Sequence, residues 1–203
     1  MAERQVAIRL GEAFGPLFQP FRYKALFGGR GTAKSRSISP ALTILSSSTC
    51  KRIVCGRQFQ NSIRDSAKST IEGRIEELGL SKEYSITHNE IVNKKNDSRF
   101  TFVGLERNIE SIKSLDDVDI FWIEEARNVS LRSWELLVPT IRKPGSEIWC
   151  SWNPVSPEDP IDEFFRGPYP PKDAYIKRVT IEDNPWFYQT TMPEDMERMK
   201  KAN

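Results

Sequence analysis

The sequence has no long apolar run, a single histidine and a small, odd number of cysteines. Its longest uninterrupted apolar run is Ile120 to Ile123, whereas a membrane-spanning helix needs roughly 20 apolar residues. Residues 1–15 carry charges and no apolar core, so they do not resemble a secretion signal. The three cysteines and His88 show no zinc-ligand spacing. These absences exclude a membrane-spanning protein and favour a reducing, cytosolic setting.

An excess of charge of one sign is also missing. The chain carries 30 Lys and Arg against 28 Asp and Glu, which leaves a formal net charge of +2. Such a balance gives little whole-molecule attraction toward a nucleic-acid backbone. Any contact with DNA therefore needs a local basic patch or several copies of the chain.

Length and periodicity predict one α/β unit. With 203 residues, the chain is long enough for one such domain and short for two. Strands alternate with helices, which predicts a mostly parallel, doubly wound sheet flanked by helices. Predicted strands are 23–27, 51–56, 118–123, 147–152 and 175–181, with a hairpin of 85–93 and 99–103. Predicted helices follow the loop at 28–35 and cover 60–80, 131–138, a segment from 160, and 193–201.

The segment GGRGTAKS, Gly28 to Ser35, fits the phosphate-binding pattern G-x-x-x-x-[GA]-K-[ST] between an apolar strand and a helix. Backbone N–H groups of such a loop surround phosphates, Lys34 reaches the β- and γ-phosphates, and the Ser35 hydroxyl binds Mg²⁺. Ala33 stands where a final glycine is usual, and we expect it to keep a negative, helical φ. The alternative is a glycine turn that merely precedes a helix.

Two adjacent acids follow the apolar run Ile120 to Ile123. Because successive side chains of a strand face opposite ways, Glu124 and Glu125 are expected to do different work. Glu124 would hold Mg²⁺, and Glu125 would orient and deprotonate an attacking water. The alternative is a solvated strand end. Asn153, at the end of another strand, would sense the γ-phosphate, although Asn-Pro is also a common turn opening.

Cations are needed to complete a phosphoryl-transfer site of this kind. Arg30 lies inside the loop and would act within its own subunit. An exposed cation is otherwise usually only solvated. The candidates that would reach a neighbouring subunit are Arg107, Lys113 and Arg142.

Five segments together resemble the large terminase subunit of tailed bacteriophages. They are GGRGTAKSRS, RQFQNSIRDS, IKSLDDVDIFWIEEA, TIRKPGSEIWCSWNP and IEDNPWF, and they cover nearly the whole chain in order. In that family a motor ATPase of the RecA-like, additional-strand type drives viral double-stranded DNA into a procapsid, and a separate nuclease domain cuts the DNA. The resemblance implies Mg²⁺ as cofactor and ATP as substrate.

The resemblance also assigns regions and residues. Residues 1–167 would be the P-loop ATPase core with its N-terminal arm, and residues 168–203 a lid or linker subdomain. The catalytic residues it implies are Glu125, Glu124, Lys34, Arg30 and Asn153, and the metal ligands are Ser35 and Glu124. The nucleotide-binding residues it implies are Gly28, Gly29, Arg30, Gly31, Thr32, Ala33, Lys34, Ser35, Arg36 and Gln58.

Partners follow from the same resemblance: double-stranded DNA, the portal protein of a procapsid, a small terminase subunit and further copies in a ring, in the host cell cytoplasm. The nuclease half is expected to be absent. Asp116, Asp117 and Asp119 come before the strand that ends in Glu124, and this position favours an exposed loop over a two-metal nuclease centre. Two other functions stay open, another additional-strand ATPase such as a helicase and a nucleotide-binding assembly switch. Glu125 speaks against the switch, because a pure binder needs no second acid.

Overall fold

The computed structural model describes residues 7–59, 67–106 and 117–202. Within these residues, eight strands form one sheet. They are β1 Tyr23–Phe27, β2 Arg52–Arg57, β3 Tyr84–Ile86, β4 Glu90–Asn93, β5 Arg99–Gly104, β6 Ile120–Glu124, β7 Glu147–Trp152 and β8 Ala174–Arg178. The α-helices of the same residues are α1 Lys34–Ser48, α2 Ser69–Glu77, α3 Leu131–Thr140, α4 Pro160–Arg166 and α5 Met192–Ala202, and a 3-10 helix covers Glu12–Phe18.

The order of strands across the sheet is β3-β4-β5-β2-β6-β7-β1-β8. From β5 to β8 in this order, all neighbours pair in parallel, and β4 and β3 extend the sheet in antiparallel fashion. Strand β7 lies between β1, which leads into the glycine loop, and β6, which ends in an acid. This is the additional strand of the predicted ATPase type, and the mostly parallel sheet is confirmed. The carboxyl ends of β1, β6 and β7 therefore open onto one crevice.

Helices cover both faces of the sheet, as predicted for a doubly wound fold. On one face, α1, α2 and the N-terminal 3-10 helix bury Leu42, Ile71 and Phe14. On the other face, α3 and α4 bury Trp134 and Phe165. Among the described residues, no helix is both long and apolar enough to cross a membrane.

The predicted hairpin and the long helix before it differ from the structure in detail. The strand predicted at 85–93 is divided into β3 and β4, because Thr87 N donates to Glu90 O and closes a turn between them. Strand β4 then pairs with β5 in antiparallel, so the hairpin itself is confirmed. Of the helix predicted at 60–80, residues 60–66 lie outside the described residues, and α2 lies within the remainder.

Strand β8 belongs to the same sheet as β1, with which it pairs in parallel. It ends at Arg178 rather than at the predicted Ile181, because Thr180 and Asp183 form a capping box around a 3-10 turn that stops the strand. The start of a lid subdomain at residue 168 stays a prediction. Its first strand is nevertheless an integral part of the main sheet.

The turn from β1 into α1 depends on left-handed backbone conformations. Gly31 has a φ of +77°, and Ala33, which caps α1, has a φ of +60°. The expectation that Ala33 keeps a negative φ is therefore wrong. The loop needs a left-handed residue directly before Lys34, and an L-residue with a Cβ has a steric cost of about 1 kcal/mol there.

We expect Ala33→Gly to raise the free energy of unfolding by about 1 kcal/mol, because glycine removes the Cβ from a left-handed position. Urea denaturation followed by circular dichroism measures the change. Gly145→Ala is the matched reverse change, since Gly145 has a φ of +75° and nothing lies within 4 Å of an added Cβ. It should lower stability by a similar amount. A loss of stability in Ala33→Gly would contradict the left-handed backbone at this position.

Candidate nucleotide-binding site

A cleft of about 830 Å³ opens at the carboxyl ends of β1, β6 and β7. One wall is the glycine loop with the first turn of α1, and the facing wall is made by the ends of β6 and β7. Most sequence-predicted site residues meet here. Those that line the cleft are Gly29, Arg30, Gly31, Thr32, Ala33, Lys34, Ser35, Arg36, Glu124, Glu125 and Asn153.

Gly28 closes the base of the loop between two neighbouring strands. Its N–H donates to the carbonyl oxygen of Trp152 at 3.2 Å, and a Cβ added to it would collide with the carbonyl oxygen of Val179. Only glycine fits this position. Further along, the buried Thr32 donates through Oγ1 to Gly29 O at 3.0 Å. The loop is therefore tied both to the sheet and to itself.

Lys34 lies at the centre of the loop. Its Nζ donates to Gly28 O at 2.8 Å, Gly29 O at 2.9 Å and Thr32 Oγ1 at 2.9 Å. Burial lowers the pKa of Lys34 to about 8. An anion entering the loop would supply the negative charge that these neutral acceptors lack, and would favour the protonated amine.

Ser35 and Glu124 form a pair of oxygen donors suited to Mg²⁺. Ser35 Oγ donates to Glu124 Oε1 at 2.8 Å, across the cleft between α1 and β6. Hydroxyl and carboxylate oxygens are ligands that Mg²⁺ accepts beside nucleotide phosphates. Within the described residues, no group of three or more His, Cys, Asp or Glu side chains gathers for a metal. The residues present therefore fit an ion that takes its remaining ligands from phosphate and water.

The two acids occupy different surroundings but meet at one guanidinium. Glu124 is 7% exposed, and the Glu125 side chain is 59% exposed. Glu125 has a φ of +53°, so the chain leaves the strand geometry there, and the expected opposite orientation of the two side chains does not hold. Arg57 Nε lies 3.1 Å from Glu124 Oε2, and Arg57 Nη2 lies 3.0 Å from Glu125 Oε1.

Arg57 begins RQFQNSIRDS, one of the segments that carry the resemblance, but no role was assigned to it from the sequence. In the structure, β2 pairs in parallel with β6, and Gly56 lies opposite Ile123 in the register. The next residues, Arg57 and Glu124, thus emerge side by side at the carboxyl edge. Recognising them required the strand order, which the sequence does not state.

Gln58 and Gly28 do not line the cleft, whereas all the other predicted nucleotide-binding residues do. Gln58 is 8% exposed, and its Oε1 accepts a hydrogen bond from Ser130 N, at the start of α3, at 3.4 Å. Arg142 is exposed and also lies away from the cleft. Arg107 and Lys113 lie outside the described residues.

The expected exposed loop before β6 is described only in part, because Asp116 lies outside the described residues. Lys143 Nζ contacts Asp117 at 2.8 Å and Asp119 at 2.9 Å. Lys143 lowers the pKa of the exposed Asp117 by a hydrogen bond and by its charge. Asp119 also accepts a hydrogen bond from Arg52 N at 2.8 Å. These two acids are engaged in ion pairs at the end of the sheet opposite the cleft.

Two further groups line the cleft without having been predicted. Arg127 and Asn128 follow the acids, and a C-terminal segment contributes Asn184, Thr190 and Met192. The sequence signal for Asn184 was the segment IEDNPWF, to which no role had been assigned. The cleft is thus lined by four separate stretches of the chain between Gly29 and Met192.

Comparison with known proteins matches this architecture. The family model of the phage terminase large subunit covers residues 21–203. The PBSX phage terminase large subunit of Bacillus subtilis (strain 168) is 25% identical over an alignment of 186 residues, and this alignment covers 86% of this chain and 42% of that protein. The chain therefore spans less than half the length of this relative.

Solved structures of similar fold belong to the same group of proteins. The large terminase of a thermophilic bacteriophage, in complex with ATP-gamma-S, matches 94% of this chain and 49% of its own, with a TM-score of 0.68 and 10% identity. The ATPase domain of the Thermus phage P74-26 large terminase matches 89% of this chain and 83% of its own, with a TM-score of 0.67 and 13% identity. The N-terminal domain of the DNA packaging ATPase from bacteriophage phi29 matches 83% of this chain and 95% of its own, with a TM-score of 0.61 and 16% identity.

These structural likenesses establish the RecA-like P-loop fold, and the family match extends over almost every residue that forms the sheet and the cleft. The chain belongs to the phage terminase large subunit family.

Proposed function

We propose that this chain binds ATP with Mg²⁺ in the cleft and hydrolyses it. The observation that carries the proposal is that the loop around Lys34 faces the pair Glu124 and Glu125 across one cleft. A positioned lysine, a metal-binding hydroxyl and a second acid are the parts that phosphoryl transfer requires. The similar terminase of a thermophilic bacteriophage was solved in complex with ATP-gamma-S, which supports a nucleoside triphosphate as the ligand.

Each part has a distinct chemical role in this proposal. Lys34 supplies positive charge where the β- and γ-phosphate oxygens lie. Ser35 and Glu124 hold Mg²⁺, which neutralises charge on the phosphates when bound. Glu125, exposed at the cleft, accepts a proton from the water that attacks the γ-phosphorus. Arg57 contacts both carboxylates and so keeps Glu125 beside Glu124.

Further cleft residues support the reaction. Arg30 stabilises the negative charge that develops on the transferred phosphoryl group. Asn153 binds the γ-phosphate through its amide and is placed to respond to its loss, because it directly follows β7. Arg36 lines the cleft from the first turn of α1 and adds positive charge there.

We infer further that hydrolysis powers movement of double-stranded viral DNA into a procapsid in the host cell cytoplasm. Family membership supports this, as does the similarity in fold to a phage DNA packaging ATPase. The partners in this proposal are the portal protein, a small terminase subunit and further copies of the chain in a ring. A neighbouring copy would supply Arg107, Lys113 or Arg142 as an additional cation.

We expect ATP to bind with uptake of protons above pH 8. Free Lys34 loses its proton as the pH rises through about 8, while bound phosphates favour the protonated amine, so affinity for Mg-ATP should fall above that pH. Isothermal titration at pH 8.5 in two buffers of different ionisation enthalpy measures the uptake. Lys34→Arg stays protonated and should show none. Equal heats for the parent in both buffers would contradict the role of Lys34.

The two acids should separate kinetically. Glu125→Gln keeps the shape of the side chain but removes the base, so ATP should bind normally while hydrolysis falls by about 10²- to 10⁴-fold at every Mg²⁺ concentration. Glu124→Gln should weaken the metal contribution, and its rate should partly recover at high Mg²⁺. Single-turnover hydrolysis across a magnesium titration tests both, with the exposed Glu158→Gln as control. Parent-like hydrolysis by Glu125→Gln would reassign the base.

The motor role should appear as stimulation by the packaging machinery. We expect slow hydrolysis by the chain alone and an acceleration of at least about tenfold with procapsid, portal and DNA together, since ring motors complete their sites with a cation from the next subunit. Steady-state ATPase rates in each combination measure it. Full stimulation by DNA without portal would point to a helicase-like enzyme. Negligible turnover in every combination would point to a nucleotide switch.

A further inference from the structure

The segment after β8 forms one wall of the cleft and has no role in the phosphoryl-transfer chemistry. Its residues 181–187, IEDNPWF, include a 3-10 turn at Ile181–Asp183 and begin a second one at Phe187–Gln189, after which α5 follows. Asn184, Thr190 and Met192 from this segment line the cleft beside the glycine loop. We refer to residues 184–192 as the C-terminal wall.

The Asn184 amide connects the C-terminal wall to the loop, because its nitrogen bonds to the loop and its oxygen bonds within the wall. Its Nδ2 donates to Gly31 O at 2.7 Å, and its Oδ1 accepts from Trp186 N at 2.9 Å. Aspartate would lack the donor, and alanine would lack both groups. The bond engages the carbonyl oxygen of Gly31, which would repel a phosphate if it turned toward one. Asn184 therefore supports the phosphate-binding form of the loop.

The C-terminal wall also places an apolar and an aromatic side chain against the loop. A Cβ added to Gly31 would lie 2.6 Å from Met192 Cε and 3.7 Å from Phe187 Cε2, so these side chains rest on the tip of the loop. Nearby, the Arg36 guanidinium carbon lies 4.4 Å from the centroid of the Trp186 ring. This end of the cleft differs sharply from the acidic end at Glu124.

The strand order decides which part of a nucleotide each end would meet. Strand β6, with Glu124, lies two places from β1 on one side, whereas β8, which leads into the C-terminal wall, is next to β1 on the other side. The loop follows β1 and lies between them. An ATP whose γ-phosphate points to the acids must extend its ribose and base toward the C-terminal wall.

We propose that the C-terminal wall binds the nucleoside half of the nucleotide, with Met192 in contact with the base and Asn184 as the residue that positions the loop. Apolar contact suits the face of a purine, and a thioether packs favourably against an aromatic ring. The proposal deepens and rests on the proposed function, since it assumes ATP in this cleft. It also accounts for base recognition without Gln58, which packs against α3.

Two ligands, both with a triphosphate chain but only one with a nucleoside, distinguish the nucleoside contact of the wall from its positioning of the loop. Isothermal titration of the full chain would compare Mg-ATP with magnesium tripolyphosphate, which has no nucleoside. Met192→Ala should weaken Mg-ATP by about tenfold, from the loss of apolar contact, and leave tripolyphosphate within about twofold. Met192→Leu should restore Mg-ATP binding. Met199→Ala, on the same helix but exposed and outside the cleft, is the control and should change neither.

Asn184→Ala should behave differently, weakening both ligands by the same factor, because it acts on the loop. Thermal unfolding of each variant checks that the fold is intact. An equal loss of both ligands in Met192→Ala, or no loss of Mg-ATP, would overturn the nucleoside contact while leaving the ATPase proposal standing. Failure of the parent chain to bind either ligand would instead overturn the proposed function, and this inference with it.

Discussion

The site depends on one backbone constraint: between β1 and α1 the chain has to make a tight turn that passes through left-handed conformations. Gly28 lies between Trp152 and Val179, where a Cβ has no room. Later in the loop, Gly31 and Ala33 both have left-handed φ values. Left-handed positions are intrinsically costly for residues other than glycine. Contacts from β7, from the residue after β8 and from Asn184 offset that cost. The form of the loop is thus a property of the surrounding sheet as much as of its own glycines.

The parallel sheet places charged side chains beside this loop. Strands that run in the same direction end at the same edge, so acids from β6 and an arginine from β2 emerge beside a lysine-bearing loop from β1. Two adjacent carboxylates repel each other, and Arg57 offsets this by contacting both. Burial distinguishes them, since Glu124 is enclosed with Ser35 whereas Glu125 remains open to water. One fold feature therefore produces both the proposed metal-binding pair and the candidate base.

Strand order also makes the cleft asymmetric. The additional strand β7 separates the acids from β1, and β8 brings the C-terminal segment to the other side of the loop. The carboxylates lie at one end of the cleft and Met192 lies at the other, which is the arrangement we propose for a nucleoside triphosphate from γ-phosphate to base. The same segment also contacts the loop directly, because Asn184 Nδ2 donates to the carbonyl oxygen of Gly31.

Local patterns in the sequence determined the elements and the motif-bearing residues. The glycine loop, the apolar strand before the acids and the helix predicted at 131–138 are contiguous signals, readable because hydrophobic period and backbone freedom act over a few residues. Tertiary structure decided the rest. Ala33 became left-handed, Arg57 joined two acids, and Gln58 turned away from the cleft. Each depends on neighbours supplied by other elements; Asn184 and Gly31, 153 positions apart, meet only because β8 pairs with β1.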